Sequence, residues 1–369
     1  MKPFARLFAA LSLGIATSAW AGPYSDIYVL GDSLSDSGNL FLASPGLNFL
    51  PIKPVPGAPY FQGRASNGPV AVELLAQKLA FNLTPSEAGG NNFAYGGART
   101  DTHVFEALFP GVDVSFDVLA QQNSLFAAVN PADPANAALD PNALYVVFAG
   151  ANNLQDAVRA ALADPANAPA VAQAAVANAV GDLGTVLGGL SAHGARNFLV
   201  PNAPNLTLVP RITEQLALLP PAQAQQVRQI ATGATVGFNT ALDALLASFA
   251  NPNMIGFDLF GLLQQVVATP AAFGLTDVTQ RCYTGDDLLF TGALIDPTKP
   301  RGIDPTKQGT VCAAPDDYLF WDGIHPTATM HQVLGDRLFA AAVVPEPGVL
   351  ALLTIASLVL LGARGRYRR

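Results

Sequence analysis

Charge is scarce in this chain: Asp, Glu, Lys and Arg make up 12% of 369 residues, and 19 basic residues face 27 acidic ones. A protein that grips nucleic acid needs a surplus of Lys and Arg to neutralise phosphates, and here the balance is reversed. Half of the residues are apolar, which excludes a disordered polymer and allows a sizeable core. Cysteine occurs twice and never in a Cys-x-x-Cys pair, so the paired-cysteine pattern of a structural zinc site is missing. Histidine occurs four times, which limits any chemistry that needs an imidazole to four candidates. No His-Glu-x-x-His or Gly-x-x-x-x-Gly-Lys-Ser/Thr run is present, leaving metal hydrolysis and NTP hydrolysis without support. No serine has glycine both two places before and two places after it, as the nucleophile elbow of an α/β-hydrolase requires. Nothing in the pattern asks for a cofactor or a metal ion.

The mean hydropathy of +0.32 is high for an enzyme, and part of the excess sits at the two ends. Residues 1–21 carry Lys2 and Arg6, then an apolar run at 7–16, then Ala19-Trp20-Ala21. This is the three-part build of a secretory signal peptide, with cleavage expected after Ala21. At the other end Val344-Pro345-Glu346-Pro347 precedes an unbroken apolar stretch, 348–363, followed by Arg364, Arg366, Arg368 and Arg369. As a helix this stretch rises about 24 Å, short for a hydrocarbon core of about 30 Å unless the arginines snorkel and the bilayer thins. Arginines held on the cytoplasmic side leave the preceding domain outside. Residues 345–369 resemble the PEP-CTERM sorting signal of Gram-negative bacteria: a Pro-Glu-Pro motif, a short transmembrane helix and a basic cluster. The resemblance implies processing by signal peptidase and an exosortase, transient anchoring in the inner membrane, and delivery to the cell surface or extracellular matrix. A plain C-terminal membrane anchor is the alternative.

Export bears on the cysteines. In an oxidising compartment Cys282 and Cys312 read as one disulfide, the alternative being two buried thiols. Processing also changes the charge. Both ends together remove six basic residues and one acidic residue, leaving 13 basic and 26 acidic and a net charge of −13 instead of −8. Such acidity disfavours adsorption to anionic lipid headgroups and points to soluble or neutral substrates.

The remaining residues, 22–344, show no charged or low-complexity linker and read as one domain. Short apolar runs at 27–30, 143–148, 197–200 and 254–257 predict strands. Between them, 69–80, the Ala-rich region 154–190 and 221–249 predict helices, with 130–142 and 164–169 as loops between helices. Strands alternating with helices indicate an α/β fold with a parallel sheet.

The strand at 27–30 runs into Gly31-Asp32-Ser33-Leu34-Ser35-Asp36-Ser37-Gly38-Asn39. In an open parallel sheet, ligands bind beyond the carboxyl ends of strands, so Ser33 is placed to meet a substrate, although Gly, Asp and Ser are also ordinary turn formers. A serine nucleophile needs a base. His325 lies in Trp321-Asp322-Gly323-Ile324-His325-Pro326-Thr327, and Pro326 keeps it out of helix, on an extended loop before a final helix at 327–342. Asp322, three residues earlier, can reach one imidazole nitrogen and leave the other for Ser33, which is what a Ser-His-Asp triad requires. His331 falls on that final helix as a packed or solvated residue; His103 and His193 lack this context, with Asp101 beside His103 as a minor rival pair. Oxyanion donors are available from Asn92-Phe93-Ala94-Tyr95-Gly96-Gly97-Ala98 and from Gly150-Ala151-Asn152-Asn153, which follows the strand at 143–148. The glycines also suit a tight turn, and Asn152 also suits a helix N-cap.

Taken together these blocks resemble the GDSL, or SGNH, hydrolases, a family named for Ser, Gly, Asn and His in separate segments. The likeness covers about residues 27–339 and extends to Gly63-Arg64-Ala65-Ser66-Asn67-Gly68-Pro69, residues 201–204, Phe238-Asn239 and Cys282-Tyr283, which are similar to stretches of bacterial lipases and autotransporter esterases. It implies a flavodoxin-like three-layer α/β/α sandwich. In it Ser33 is the nucleophile, His325 the base and Asp322 its partner, with the Ser33 N–H, the Gly97 N–H and Asn152 forming the oxyanion hole. Asn153 departs from the pattern, since many members have Asp there. The implied activity is hydrolysis of carboxylic esters, of lipase or esterase type. An O-acetyl esterase acting on extracellular polysaccharide and a matrix or surface binding protein without activity are the alternatives.

Overall fold

The computed structural model describes residues 23–46, 54–101, 116–163, 166–250, 253–285 and 309–343. The signal segment 1–21, the sorting segment 345–369 and His103 lie outside the described residues. Four strands, β1 (Ile27–Gly31), β2 (Leu144–Phe148), β3 (Asn197–Pro201) and β4 (Met254–Phe257), form a parallel sheet in the order β1-β2-β3-β4. All five residues of β2 are buried, because a parallel sheet is covered on both faces and its strands are apolar throughout. Side chains alternate across the sheet. Ile27, Val29, Leu144, Val146 and Leu199 enter one core, whereas Leu30, Tyr145, Val147, Phe198 and Val200 enter the other.

Helices cover each face. On the first lie α2 (Ala71–Lys78), α6 (Pro210–Ala217), α8 (Leu259–Ala268) and α9 (Ala328–Val343). On the second lie α3 (Val118–Val129) and α5 (Ala168–Ala192), while α7 (Pro221–Ser248) contributes to both cores. The result is the three-layer α/β/α sandwich. By length and composition α5 and α7 could cross a membrane, but here they pack apolar residues against the sheet.

The Ala-rich region 154–190 forms two helices, α4 (Ala151–Ala163) and α5, the second opening with Pro169 in its first turn, where a missing N–H costs nothing. The segment 130–142 joins α3 to β2 rather than two helices, with a short 3₁₀ turn at Pro134–Asn136. Among the elements not anticipated are α1 (Asn39–Ala43), α3, α6, α8 and a small parallel pair, β5 (Asp277–Arg281) with β6 (Tyr318–Phe320). α3 lacks a readable apolar stripe because Gln121 and Gln122 are buried and hydrogen-bonded to the carbonyls of Gly31 and Val186. β5 is polar and half-exposed, and β6 has three residues, too few for a period to show.

One connection decides where the site falls. Residues 91–95 run along the free edge of β1: the Val29 N–H donates to the Asn91 carbonyl (3.1 Å), the Phe93 N–H to Val29 (2.7 Å) and the Tyr95 N–H to Gly31 (3.1 Å). After β1 the chain therefore lays a segment on one side and later returns to lay β2 on the other. That reversal opens a crevice at the carboxyl ends of β1 and β2.

Cys282 and Cys312 are joined in a disulfide, 30 residues apart, beside Tyr60 and Trp321. Loop-closure entropy gives such a crosslink about 3 to 4 kcal/mol. A Cys282→Ser/Cys312→Ser protein is expected to lose stability of that size in urea unfolding; identical midpoints would show that the crosslink contributes nothing.

Candidate active site

The turn after β1 is tight by construction. A side chain on Gly31 would sit 2.4 Å from the Phe148 carbonyl oxygen, so only glycine lets β1 and β2 stay paired there. The Asp32 carbonyl accepts from the N–H groups of Ser35 and Asp36, both at 3.0 Å, and Asp32 Oδ1 accepts from the Leu34 N–H at 3.0 Å. These bonds leave Ser33 at the apex, partly exposed.

The His325 loop is held at both ends. The Trp321 N–H donates to the His325 carbonyl (2.8 Å) and the Thr327 N–H to Leu319 (3.0 Å). Across from it, residues 63–69 act as a clamp: Ser66 Oγ donates to the Pro326 carbonyl (2.9 Å), and Asn67 Oδ1 accepts from the Ala328 N–H (2.7 Å). A Cβ on Gly68 would lie 2.6 Å from that of Ala328, so the two segments meet without room for a side chain.

Held this way, His325 and Ser33 meet across 292 positions of sequence: Nε2 lies 2.8 Å from Ser33 Oγ, and Nδ1 lies 2.7 Å from Asp322 Oδ2. Asp322 is fully buried and accepts four hydrogen bonds, at Oδ1 from the N–H groups of Ile324 (2.9 Å) and His325 (2.8 Å), at Oδ2 from His325 and from Tyr60 Oη (2.8 Å). Burial by itself would raise its pKa. The adjacent imidazole, its hydrogen bond and that of the Ile324 N–H, and the Arg211 guanidinium outweigh burial and hold the carboxyl well below the usual carboxylate range.

A second carboxylate joins the donor loops. Asp36 Oδ1 accepts from the N–H groups of Gly38 and Asn39 (2.7 Å each), and Oδ2 accepts from Leu40 (3.1 Å) and Gly96 (2.8 Å). Gly97 follows in a left-handed conformation (φ 83°) that glycine adopts without strain. Its carbonyl accepts from Arg99 Nη1 (2.5 Å), and the same guanidinium pairs with Asp156 on α4 (2.8 Å). Neither the Ser33 N–H nor the Gly97 N–H has an acceptor among the described residues. Asn152 stands in the first turn of α4 and is not its N-cap; its Nδ2 donates to the Ala98 carbonyl (2.9 Å), which occupies one of its two protons. Gly150, just before, has φ 122° and no room for a Cβ, which would meet the Phe238 ring at 2.4 Å. Asn153 accepts from the Thr100 N–H (3.1 Å) and donates to Thr100 Oγ1 (2.9 Å), which donates onward to Asp182 (2.9 Å).

The other described histidines stand apart. His331 is buried on α9 and accepts through Nδ1 from the Ala71 N–H at the start of α2 (3.1 Å); burial pushes its pKa down to about 3, so it stays neutral. His193 stacks on Phe126 and contacts the carbonyls of Gly189 and Ala135. No group of three or more metal-ligating side chains occurs among the described residues. Not anticipated from sequence were Tyr60, Asp36, Arg211 and the Arg99–Asp156 pair. Asp36 lay in view beside Ser33 but resembled an ordinary turn residue. The roles of 63–69 as clamp, and of Asn239, whose side-chain amide pairs with both backbone groups of Ala203 (2.9 and 3.0 Å), appear only in three dimensions.

A three-layer α/β/α domain that gathers a serine, a histidine and an aspartate beyond the carboxyl ends of parallel strands has the architecture of an SGNH-type hydrolase. The chain belongs to the GDSL-like lipase/acylhydrolase family, whose sequence profile matches residues 27–338. It is 23% identical to a phosphatidylcholine-sterol acyltransferase of Aeromonas hydrophila over 91% of this chain and 95% of that protein. It is 27% identical to the esterase EstA of Pseudomonas aeruginosa over 94% of this chain and 51% of the esterase, so it spans about half the length of that relative. It is also 27% identical to acetylajmalan esterase 2 of Rauvolfia serpentina, over 90% of this chain and 94% of that protein. The enzyme class is that of hydrolases acting on ester bonds.

Asp32 supplies a pH test. Burial raises its pKa from 3.8 to about 6, although the Leu34 N–H, His325 and Arg99 all favour its charged form. Because the folded protein binds this proton more tightly than the unfolded chain, Asp32 lowers stability progressively as pH rises from about 4 through about 6. The interval corresponds to roughly 3 kcal/mol. An Asp32→Asn variant is expected to exceed the wild type in urea-unfolding stability at pH 8 and to match it near pH 4; a difference of equal size at both pH values would contradict this.

Proposed function

We propose that this chain is an exported serine esterase that transfers the acyl group of an uncharged carboxylic ester to water. The observation that carries the reading is the buried hydrogen-bonded relay from Asp322 through His325 to Ser33. His325 takes the proton of Ser33 Oγ as the oxygen attacks the ester carbonyl, and Asp322 stabilises the imidazolium that forms. The tetrahedral oxyanion is held by the Ser33 and Gly97 N–H groups and by the second proton of Asn152 Nδ2. His325 then protonates the departing alcohol and activates a water molecule, which releases the acid and restores Ser33.

Export is supported by the leader-like residues 1–21, by the Pro-Glu-Pro tail and by the Cys282–Cys312 disulfide, a bond that persists outside the cytoplasm. On this reading, exosortase cleavage of the tail leaves the mature enzyme at the cell surface or in the extracellular matrix. The strong negative charge favours soluble or neutral esters over a phospholipid surface.

Two substitutions test the mechanism. Ser33→Ala is expected to abolish hydrolysis of a short-chain aryl ester, and labelling by a fluorophosphonate probe, in protein that remains folded by circular dichroism; retained turnover would sink the assignment. Asn152→Ala is expected to lower kcat by about 100- to 1,000-fold with little effect on thermal stability. Wild-type turnover in that variant would remove Asn152 from the oxyanion hole.

A further inference from the structure

A buried carboxylate must find a donor for each exposed lone pair, and Asp322 finds most of its donors within its own loop. Ile324 and His325 supply three of the four hydrogen bonds. The fourth comes from Tyr60, 262 positions away in sequence, whose hydroxyl donates to Oδ2 at 2.8 Å. That is the same oxygen that faces His325 Nδ1.

Tyr60 is fixed independently of Asp322. Its ring is buried and meets Tyr283 and Trp321 edge-on, with ring centroids 5.6 and 6.2 Å away. Cys282 belongs to the same cluster, so the disulfide braces it. The backbone of this segment is closed by hydrogen bonds from the Tyr60 N–H to Gly57 (3.0 Å) and from the Phe61 N–H to Ser66 (2.8 Å), the second leading into the clamp on the His325 loop. The hydroxyl is thus carried on a rigid ring and aimed at one carboxylate oxygen.

We propose that Tyr60 is a positioning residue for the base, acting through Asp322; the proposal rests on the Ser33–His325–Asp322 reading above. Two effects follow from one hydrogen bond. It pins the plane of the Asp322 carboxylate, so that Oδ2 stays in line with Nδ1 and the imidazole keeps the orientation that delivers Nε2 to Ser33. It also shares the negative charge of Oδ2, so that the carboxylate holds the imidazolium less tightly than it would with His325 as its sole partner on that oxygen. The other titratable or charged groups facing this pair are Arg211 on α6, Asp32 in the turn after β1 and His331 on α9. Substituting Tyr60 leaves all three in place.

The test is Tyr60→Phe, which keeps the ring and removes only the donor. With an uncharged aryl butyrate as substrate, kcat is expected to fall about tenfold, as for loss of a hydrogen bond to a charged group, with KM within twofold of wild type. The acid limb of the kcat/KM profile is expected to move to higher pH, because Asp322 then holds the imidazolium more strongly. Site-specific 3-fluorotyrosine at position 60, a stronger donor in the same fold, is expected to move that limb the other way. Tyr283→Phe removes a hydroxyl from the same cluster without touching Asp322 and should leave both kcat and the limb unchanged.

An unmoved acid limb in Tyr60→Phe and in the fluorotyrosine protein overturns the proposal. So does a loss of kcat that Tyr283→Phe reproduces, since packing alone would then account for it. Ser33→Ala keeps the two readings separate. If it is inactive while Tyr60→Phe behaves as wild type, only the role of Tyr60 fails; if it stays active, the relay itself fails.

Discussion

Everything in the site depends on β1 being paired along both edges. On one side it shares its ladder with β2, close enough that Gly31 cannot carry a side chain; on the other it binds residues 91–95. A strand covered on both faces and paired on both edges cannot shift register without exposing its core residues and breaking two ladders. Ser33, Gly97 and Asn152 each follow directly from one of these three parallel segments. Their mutual placement is therefore a property of the sheet, and the loops themselves need little intrinsic rigidity.

Two buried aspartates within this region, Asp322 and Asp36, show how much environment decides the behaviour of one side chain. Asp322 has four donors, one of them the His325 imidazole, with the Arg211 guanidinium nearby, and its carboxyl stays well below the usual carboxylate range. Asp36 also has four donors, all backbone N–H groups, yet burial still raises its pKa to about 6. What separates the two is the positive partner, since backbone dipoles reduce the desolvation penalty of a carboxylate without cancelling it. Asp36 is the tie between the Ser33 turn and the Gly96–Gly97 turn, so its cost in stability accompanies the alignment of those two turns.

Much of this was legible in the sequence. The four strands of the main sheet were readable because each is a short apolar run between turn residues, and α7 and α9 because proline marks the start of each. Ser33, Asp322 and His325 were legible because the chain has so few histidines and because Pro326 keeps one of them out of helix. What escaped was whatever depends on distant pairing. Gln121 and Gln122 made α3 look too polar to be buried, since their partners, Gly31 and Val186, lie 90 and 64 positions away. Residues 91–95 carry no strand period because residues 92–95 are all buried, so no exposed polar face alternates with an apolar one, and Asn92 is buried through hydrogen bonds to Ser35 and Ser37. Tyr60 stood in a stretch of prolines and glycines, with nothing nearby to indicate that its hydroxyl would meet a carboxylate.

The departure at Asn153 has a consequence of its own. The hydrogen bonds from Asn153 through Thr100 to Asp182 form a one-way chain, in which each hydroxyl or amide gives its proton toward the carboxylate at the far end. Aspartate at 153 would leave one threonine hydroxyl between two anions, able to serve only one of them. The identities at 153 and 182 are therefore interlocked: the polarity of the chain can be reversed, with the charge moved from one end to the other, but only if both positions are exchanged together.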